Sequence, residues 1–246
     1  MNIELLKIGM ESHKSLDYVN SIRYFTQAIS EDPTDFMTFQ LYLAIGEGKF
    51  KLKDYEGSIV AYDNGLNFYY ENIVHFKQQH PQIIESTQVI LEQAYRIRGN
   101  AKNELGDYKG AIQDFSKSIE LNNKLSTSIY SRGVVYMDTK NFSAAKNDFL
   151  RVLELNPNDA LAYRNLGNAK FQLNDFSGAV NDYTKAIELS IPFEHRGEVY
   201  NNMGSAKASL GHYKDAIKDF EKSLAINPND PVALENRKIL LTHLNS

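Results

Sequence analysis

The chain has 246 residues, a net charge of −4 and no cysteine. The missing thiols exclude disulfides and thiolate metal sites, and mild acidity with no run of five or more like charges argues against a nucleic-acid or anionic-membrane partner. No apolar run approaches the ~20 residues of a membrane span, so no membrane insertion is expected.

Taken in chain order, the first residues, Met1-Asn2-Ile3-Glu4-Leu5-Leu6-Lys7, show neither a basic n-region nor an apolar h-region, and a cytoplasmic location is expected. A first unit, 2–35, carries Gly9, then Tyr18, Ser21 and Phe25. The same offsets return in 39–72 as Gly46, Tyr55, Ser58 and Tyr62. They return in 92–125 as Gly99, Tyr108, Ala111 and Phe115, and in 126–159 as Gly133, Phe142, Ala145 and Phe149. Units 160–193 and 197–230 repeat them as Gly167, Phe176, Ala179, Tyr183 and Gly204, Tyr213, Ala216, Phe220. Each glycine ends a stretch of apolar residues at helical spacing, as in Tyr163, Leu166, Gly167, and a second helical pattern follows a turn. Asp17, Asp54, Asp107, Asn141 and Asp175 stand where the second helix needs an N-cap. Asn156-Pro157-Asn158-Asp159 and Asn227-Pro228-Asn229-Asp230 close units, proline stopping one helix and aspartate capping the next. The glycine and the Ala/Ser opposite it are small because two antiparallel helices must approach closely there, and the aromatics are expected to fill the space between one pair and the next.

Tyr163-Arg164-Asn165-Leu166-Gly167-Asn168-Ala169 and Leu105-Gly106-Asp107-Tyr108-Lys109-Gly110-Ala111-Ile112 carry this pattern most fully. On these residues the chain resembles the tetratricopeptide-repeat family, whose 34-residue unit is a helix–turn–helix. The resemblance implies an all-α fold, a right-handed superhelical solenoid of six such units forming a single domain over 1–246. Residues 231–244 resemble the family's polar closing helix. Val232, Leu234 and Ile239 are expected to pack on the last unit, with Glu235, Asn236, Arg237 and Lys238 facing water.

Two departures from the family pattern stand out. Lys49, Lys102, Lys170 and Lys207 lie three residues after a glycine, where the family prefers tyrosine. Each is expected to lay its methylenes along the helix pair and keep its charge at the rim. Residues 73–91 fit no unit, yet the apolar rhythm of Ile73, Phe76, Ile83, Ile84, Thr87, Ile90 and Leu91 runs through them. They read as two helices lengthened past their usual ends, turning at Gln79-His80-Pro81, either repacked into the core or protruding as an arm.

No phosphate-binding loop, dinucleotide fingerprint, nucleophile elbow or zinc-protease motif is present. His75 and His80 do not share a helix face, which leaves no metal site in view. The chain is therefore expected not to be an enzyme and to need no cofactor.

On the side of each first helix away from its own second helix, the resemblance implies a concave groove. There fall Leu6, Met10 and His13, then Leu43, Glu47 and Phe50, then Arg96, Asn100 and Asn103. Tyr130, Val134 and Met137 follow, then Arg164, Asn168 and Phe171, and finally Asn201, Asn202, Ser205 and Ala208. Asparagine offers a peptide backbone both a donor and an acceptor. Arginine offers a fork to a carboxylate, and Tyr, Phe and Met offer apolar contacts. These side chains are expected to face solvent in the free protein. Arg164, Asn168 and Asn202 match part of the carboxylate clamp of chaperone-tail receptors, but its basic pair is missing, with Val232 and Asn236 at those positions. The expected function is a protein–protein interaction adaptor or scaffold, with an extended peptide or partner protein in the groove. The alternative is a structural protein that self-associates through its ends or the 73–91 arm.

Overall fold

The computed structural model describes residues 2–34, 37–79 and 83–245, which hold thirteen α-helices and no strand. In chain order these are α1 Ile3–Lys14, α2 Tyr18–Glu31, α3 Met37–Lys51, α4 Tyr55–Gln79 and α5 Ile83–Glu104. There follow α6 Tyr108–Leu121, α7 Ser126–Asp138, α8 Phe142–Leu155 and α9 Ala160–Gln172. The last four are α10 Phe176–Glu188, α11 Phe193–Ser209, α12 Tyr213–Ile226 and α13 Pro231–Asn245. Odd and even helices pair as first and second members of six repeats, and α13 stands alone. By contact the chain forms two compact units, 1–128 and 129–246.

The turn inside each repeat has one geometry. The residue before the second helix's N-cap takes a left-handed backbone: Leu16, Lys53, Gly106, Lys140, Asn174 and Gly211. Only the two glycines adopt it without a Cβ penalty. The expected caps Asp17, Asp107, Asn141 and Asp175 each accept a backbone N–H three residues on, and Asp54 does the same for Gly57 at 2.9 Å.

The recurring glycine makes room for the recurring ring of its own second helix. A Cβ on Gly167 would come within 2.6 Å of the Tyr183 ring, and one on Gly46 within 2.7 Å of Tyr62. The second aromatic of each unit thus lies under the glycine of its own helix pair and, as expected, also fills the space toward the next pair: Phe149 clusters with Leu166 and Ala169, and Tyr183 with Val199 and Met203. Phe25, Tyr62, Phe115, Phe149, Tyr183 and Phe220 are all buried, as are Ser21, Ser58, Ala111, Ala145, Ala179 and Ala216.

Three of the four lysines after the glycines do not end at the rim. Lys102 meets Asp114 at 2.8 Å and Lys170 meets Asp182 at 2.7 Å; Lys207 is paired in the same way with Asp219. In the fourth repeat, where Tyr136 takes the lysine's place, Arg132 forks onto Asp148 at 2.7 and 2.9 Å. Each of these aspartates precedes the buried aromatic and is itself buried. The second repeat has Ala61 there, and Lys49 lies 3.5 Å from the exposed Asp54 instead.

In unit 1, α4 and α5 are longer than their counterparts. Their extra turns bury Phe76 and Thr87, and Gln88 donates to the carbonyl of Leu121 at 2.8 Å. The expected turn residues His80 and Pro81 lie outside the described residues. In unit 2, α13 uses a different face from the one expected. Ala233 and Leu240 are buried while Val232, Leu234 and Ile239 are exposed. Asn236, expected in water, donates to Asn201 at 3.2 Å. Ala233 and Leu240 stand at the repeat positions of Val199 and Ala206, which pack on the preceding helix pair, so α13 sits as a first helix would.

Candidate functional site

First helices of successive repeats touch, α3 with α5 in unit 1 and α9 with α11 with α13 in unit 2. Each unit therefore presents a face built mainly from first helices. Because repeats are about 34 residues apart, side chains that meet across this face differ in number by that spacing.

In unit 2 they form a polar ladder. Asn165, which is buried, donates to the Tyr130 hydroxyl at 2.8 Å. Arg164 donates through Nε and Nη2 to Asn165 Oδ1. Its Nη1 lies 2.9 Å from His195 Nδ1 and 3.4 Å from Glu198 Oε2. Asn168 Oδ1 accepts from the Tyr183 hydroxyl at 2.7 Å and from Asn202 Nδ2 at 3.2 Å. Burial pushes the Tyr183 phenol well above its ordinary range, with the Glu198 carboxylate adding to the effect. Its proton is thus held on the oxygen that donates to Asn168.

The expected side chains are therefore present on this face but not bare. Asn168, Asn202, Ser205, Phe171, Tyr130 and Met137 are half-buried. Phe171 packs against Phe176, ring centroids 5.4 Å apart, and Met137 and Tyr130 pack on the cluster around Phe149. Asn201 is largely buried, accepts from Asn236 at 3.2 Å, and reaches the surface only at the cleft beside Asn202. Arg164 offers no free fork, being already turned onto Glu198, Asn165 and His195. What remains open is the amide nitrogen of Asn168 and the amide oxygen of Asn202, neither of which has a partner among the described residues. Beside Asn202 lies a cleft of about 480 Å³. Two exposed apolar side chains, Phe193 and Val232, stand on it, with Glu194, Glu198 and Asp230.

In unit 1 Arg96 lies 3.5 Å from Glu92, a buried carboxylate that also accepts from Ser118 at 2.7 Å and Ser128 at 3.3 Å. Asn100 and Asn103 are half-buried, and Asn103 Oδ1 is enclosed with no partner. A cleft of about 240 Å³ opens between α3 and α5. Of its lining residues the sequence pointed to Leu43 and Glu47; Gln40, Ile90, Gln93 and Ile97 were missed. The inserted 73–91 segment breaks the repeat spacing there, so no offset could bring α3 and α5 into register.

Tetratricopeptide-repeat models match residues 92–125, 133–174, 160–190 and 197–230, together more than half of the chain. The chain belongs to the tetratricopeptide-repeat family. No curated protein matches the sequence. Among solved structures, YrrB, described as a protein of this family with an unusual peptide-binding site, superposes with a TM-score of 0.69 at 20% identity over 87% of this chain and 97% of its own. MamA from Desulfovibrio magneticus RS-1 gives 0.64 at 19% over 78% and 97%. A chain of the APC/C hetero-tetramer Cut9-Hcn1 gives 0.61 at 19% over 96% and 42%. At these identities the likeness is one of fold, a helical-repeat solenoid. Among the described residues no helix is long and apolar enough to cross a membrane.

Proposed function

We propose that this chain is an interaction adaptor whose unit 2 holds an extended polypeptide on its first-helix face, anchored by Asn168 and Asn202. The observation that carries the reading is the open pair of amide atoms. Tyr183 and Asn202 both occupy Asn168 Oδ1, which turns Asn168 Nδ2 outward, and Asn202 keeps its oxygen free. One donor and one acceptor, held side by side by a buried phenol, match the carbonyl and N–H of an extended backbone. The apolar Phe193 and Val232 next to them can seat a ligand side chain. Membership of a family of interaction modules supports the same class of function. Carboxylate capture by Arg164 has no support in the geometry, since its N–H groups are directed onto Asn165, His195 and Glu198.

A photo-cross-linking residue at Ser205 on α11 should capture a partner from lysate, and one at Asn181, exposed on α10, should not. The Asn168→Ala/Asn202→Ala double variant should remove the Ser205 cross-link, with folding checked by circular dichroism. Capture from Asn181 with none from Ser205, or capture indifferent to the double variant, would reject the reading.

A further inference from the structure

The cleft between α3 and α5 differs from the rest of the first-helix surface in one respect. Its floor is Tyr62, 2% exposed, whose hydroxyl has no hydrogen-bond partner among the described residues. The equivalent hydroxyl in the fifth repeat, Tyr183, is satisfied by Asn168, one residue after the glycine. In the second repeat that position is Glu47. Glu47 lines the cleft but does not bond Tyr62, and its contact with His13 is 3.5 Å, longer than an ordinary hydrogen bond. Burial, with the Glu47 carboxylate adding to it, pushes the Tyr62 phenol up, so this oxygen stays protonated and neutral. A buried hydroxyl beside a carboxylate, both reaching one apolar cleft, is a place prepared for donors.

The lining decides which donors. Leu43, Ile90 and Ile97 form apolar walls, Gln40 and Gln93 are the polar amides of the lining, and Glu47 is its only charged residue among the described residues, Arg96 acting on Tyr62 from outside the lining. A purely apolar occupant would cut off the Tyr62 hydroxyl and Glu47 from water without replacing it. A guanidinium could fork onto the Glu47 carboxylate, but its remaining three N–H donors would then face the apolar walls without acceptors. An ammonium on a four-carbon stem carries three donors, and the cleft holds three kinds of acceptor: carboxylate, phenol oxygen and glutamine carbonyl.

We propose that this cleft takes a lysine side chain of a bound polypeptide, its methylenes against Leu43, Ile90 and Ile97 and its ammonium on Glu47 and the Tyr62 hydroxyl. The inference rests on the reading that first-helix faces bind polypeptides, and it adds a residue preference in unit 1.

The test uses the full chain with labelled Leu and Ile methyls, titrated by NMR with acetyl-Ala-Ala-Lys-Ala-Ala-amide and with the same peptide carrying norleucine. The lysine peptide should shift the methyls of Leu43, Ile90 and Ile97 and bind about five- to thirtyfold tighter than norleucine, the worth of one charge-assisted hydrogen bond at a partly exposed site. Glu47→Gln and Tyr62→Phe should each abolish most of that preference, and Tyr62→Phe should leave thermal stability unchanged. Equal affinity for the two peptides, or an unaltered preference in Tyr62→Phe, would overturn the lysine assignment. Cadaverine that displaces the lysine peptide at equal concentration would also overturn it, by assigning the cleft to a free diamine. If neither peptide moves these methyls while Ser205 still cross-links a partner, the subsite fails and the reading of unit 2 stands.

Discussion

The second and fifth repeats are built on the same plan and have been put to different use. Both place a tyrosine ring under a first-helix glycine, Tyr62 under Gly46 and Tyr183 under Gly167. In the fifth repeat the buried polar groups are met inside the protein: Tyr183 bonds Asn168, and Lys170 pairs with the buried Asp182. In the second repeat Glu47 replaces the asparagine and Ala61 the aspartate, so the tyrosine hydroxyl opens onto a cleft and Lys49 is left at the rim. The glycine–aromatic register fixes the helix pair, while the residue after the glycine decides whether the tyrosine hydroxyl is bonded within the protein or opens onto a cleft.

The largest test of this contrast removes the lysines. Lys170→Met leaves Asp182 buried without its cation and should cost about 2–4 kcal/mol in denaturant unfolding. Lys49→Met breaks only an exposed contact and should cost less than about 0.5 kcal/mol. Burial already holds the Asp182 carboxyl above its usual range, with Lys170 offsetting part of the effect. A raised folded value means that the folded chain keeps this proton more tightly. The resulting stability is present below the ordinary carboxylate range and lost as pH rises through the raised value. Losing Lys170 raises the value further, so the defect of Lys170→Met should be largest at neutral pH and shrink on acidification.

A smaller effect is expected from the tyrosines. Tyr183→Phe should cost about 1 kcal/mol, because Asn168 loses its buried donor. Tyr62→Phe should be neutral, since no bond is lost. Equal costs, measured by chemical unfolding, would mean that the two hydroxyls are in the same state.

The smallest effect lies in the turns. Lys53 and Asn174 both adopt a left-handed backbone, φ 63° and 62°. Lysine pays a Cβ penalty there and asparagine pays less. Lys53→Gly should therefore stabilise by about 0.5–1 kcal/mol and Asn174→Gly by less.

The helix pairs were legible in the sequence because six glycines and six rings recur at fixed offsets, each with a capping side chain in the turn. Asp114, Asp148, Asp182 and Asp219 were equally visible, each one residue before a buried ring. Their burial was not legible, because a helical aspartate is ordinarily exposed and no offset in the sequence shows that a lysine or arginine of the first helix meets it. The packed face of α13 was not legible from its apolar residues alone. Ile239-Leu240-Leu241 is hydrophobic all round, and only alignment with Val199 and Ala206 selects Ala233 and Leu240. The site residues were placed on the first-helix surface by spacing. That Arg164, Asn168 and Asn201 bond Glu198, Asn202 and Asn236 depends on which side chain the next helix presents.

Binding at the first-helix face of unit 2 can be read by hydrogen exchange of the full chain, with and without the partner captured through Ser205. Added protection is expected in residues 160–172 and 193–209, the helices that carry Asn168 and Asn202. Protection confined to the second helices, 176–188 and 213–226, would contradict it.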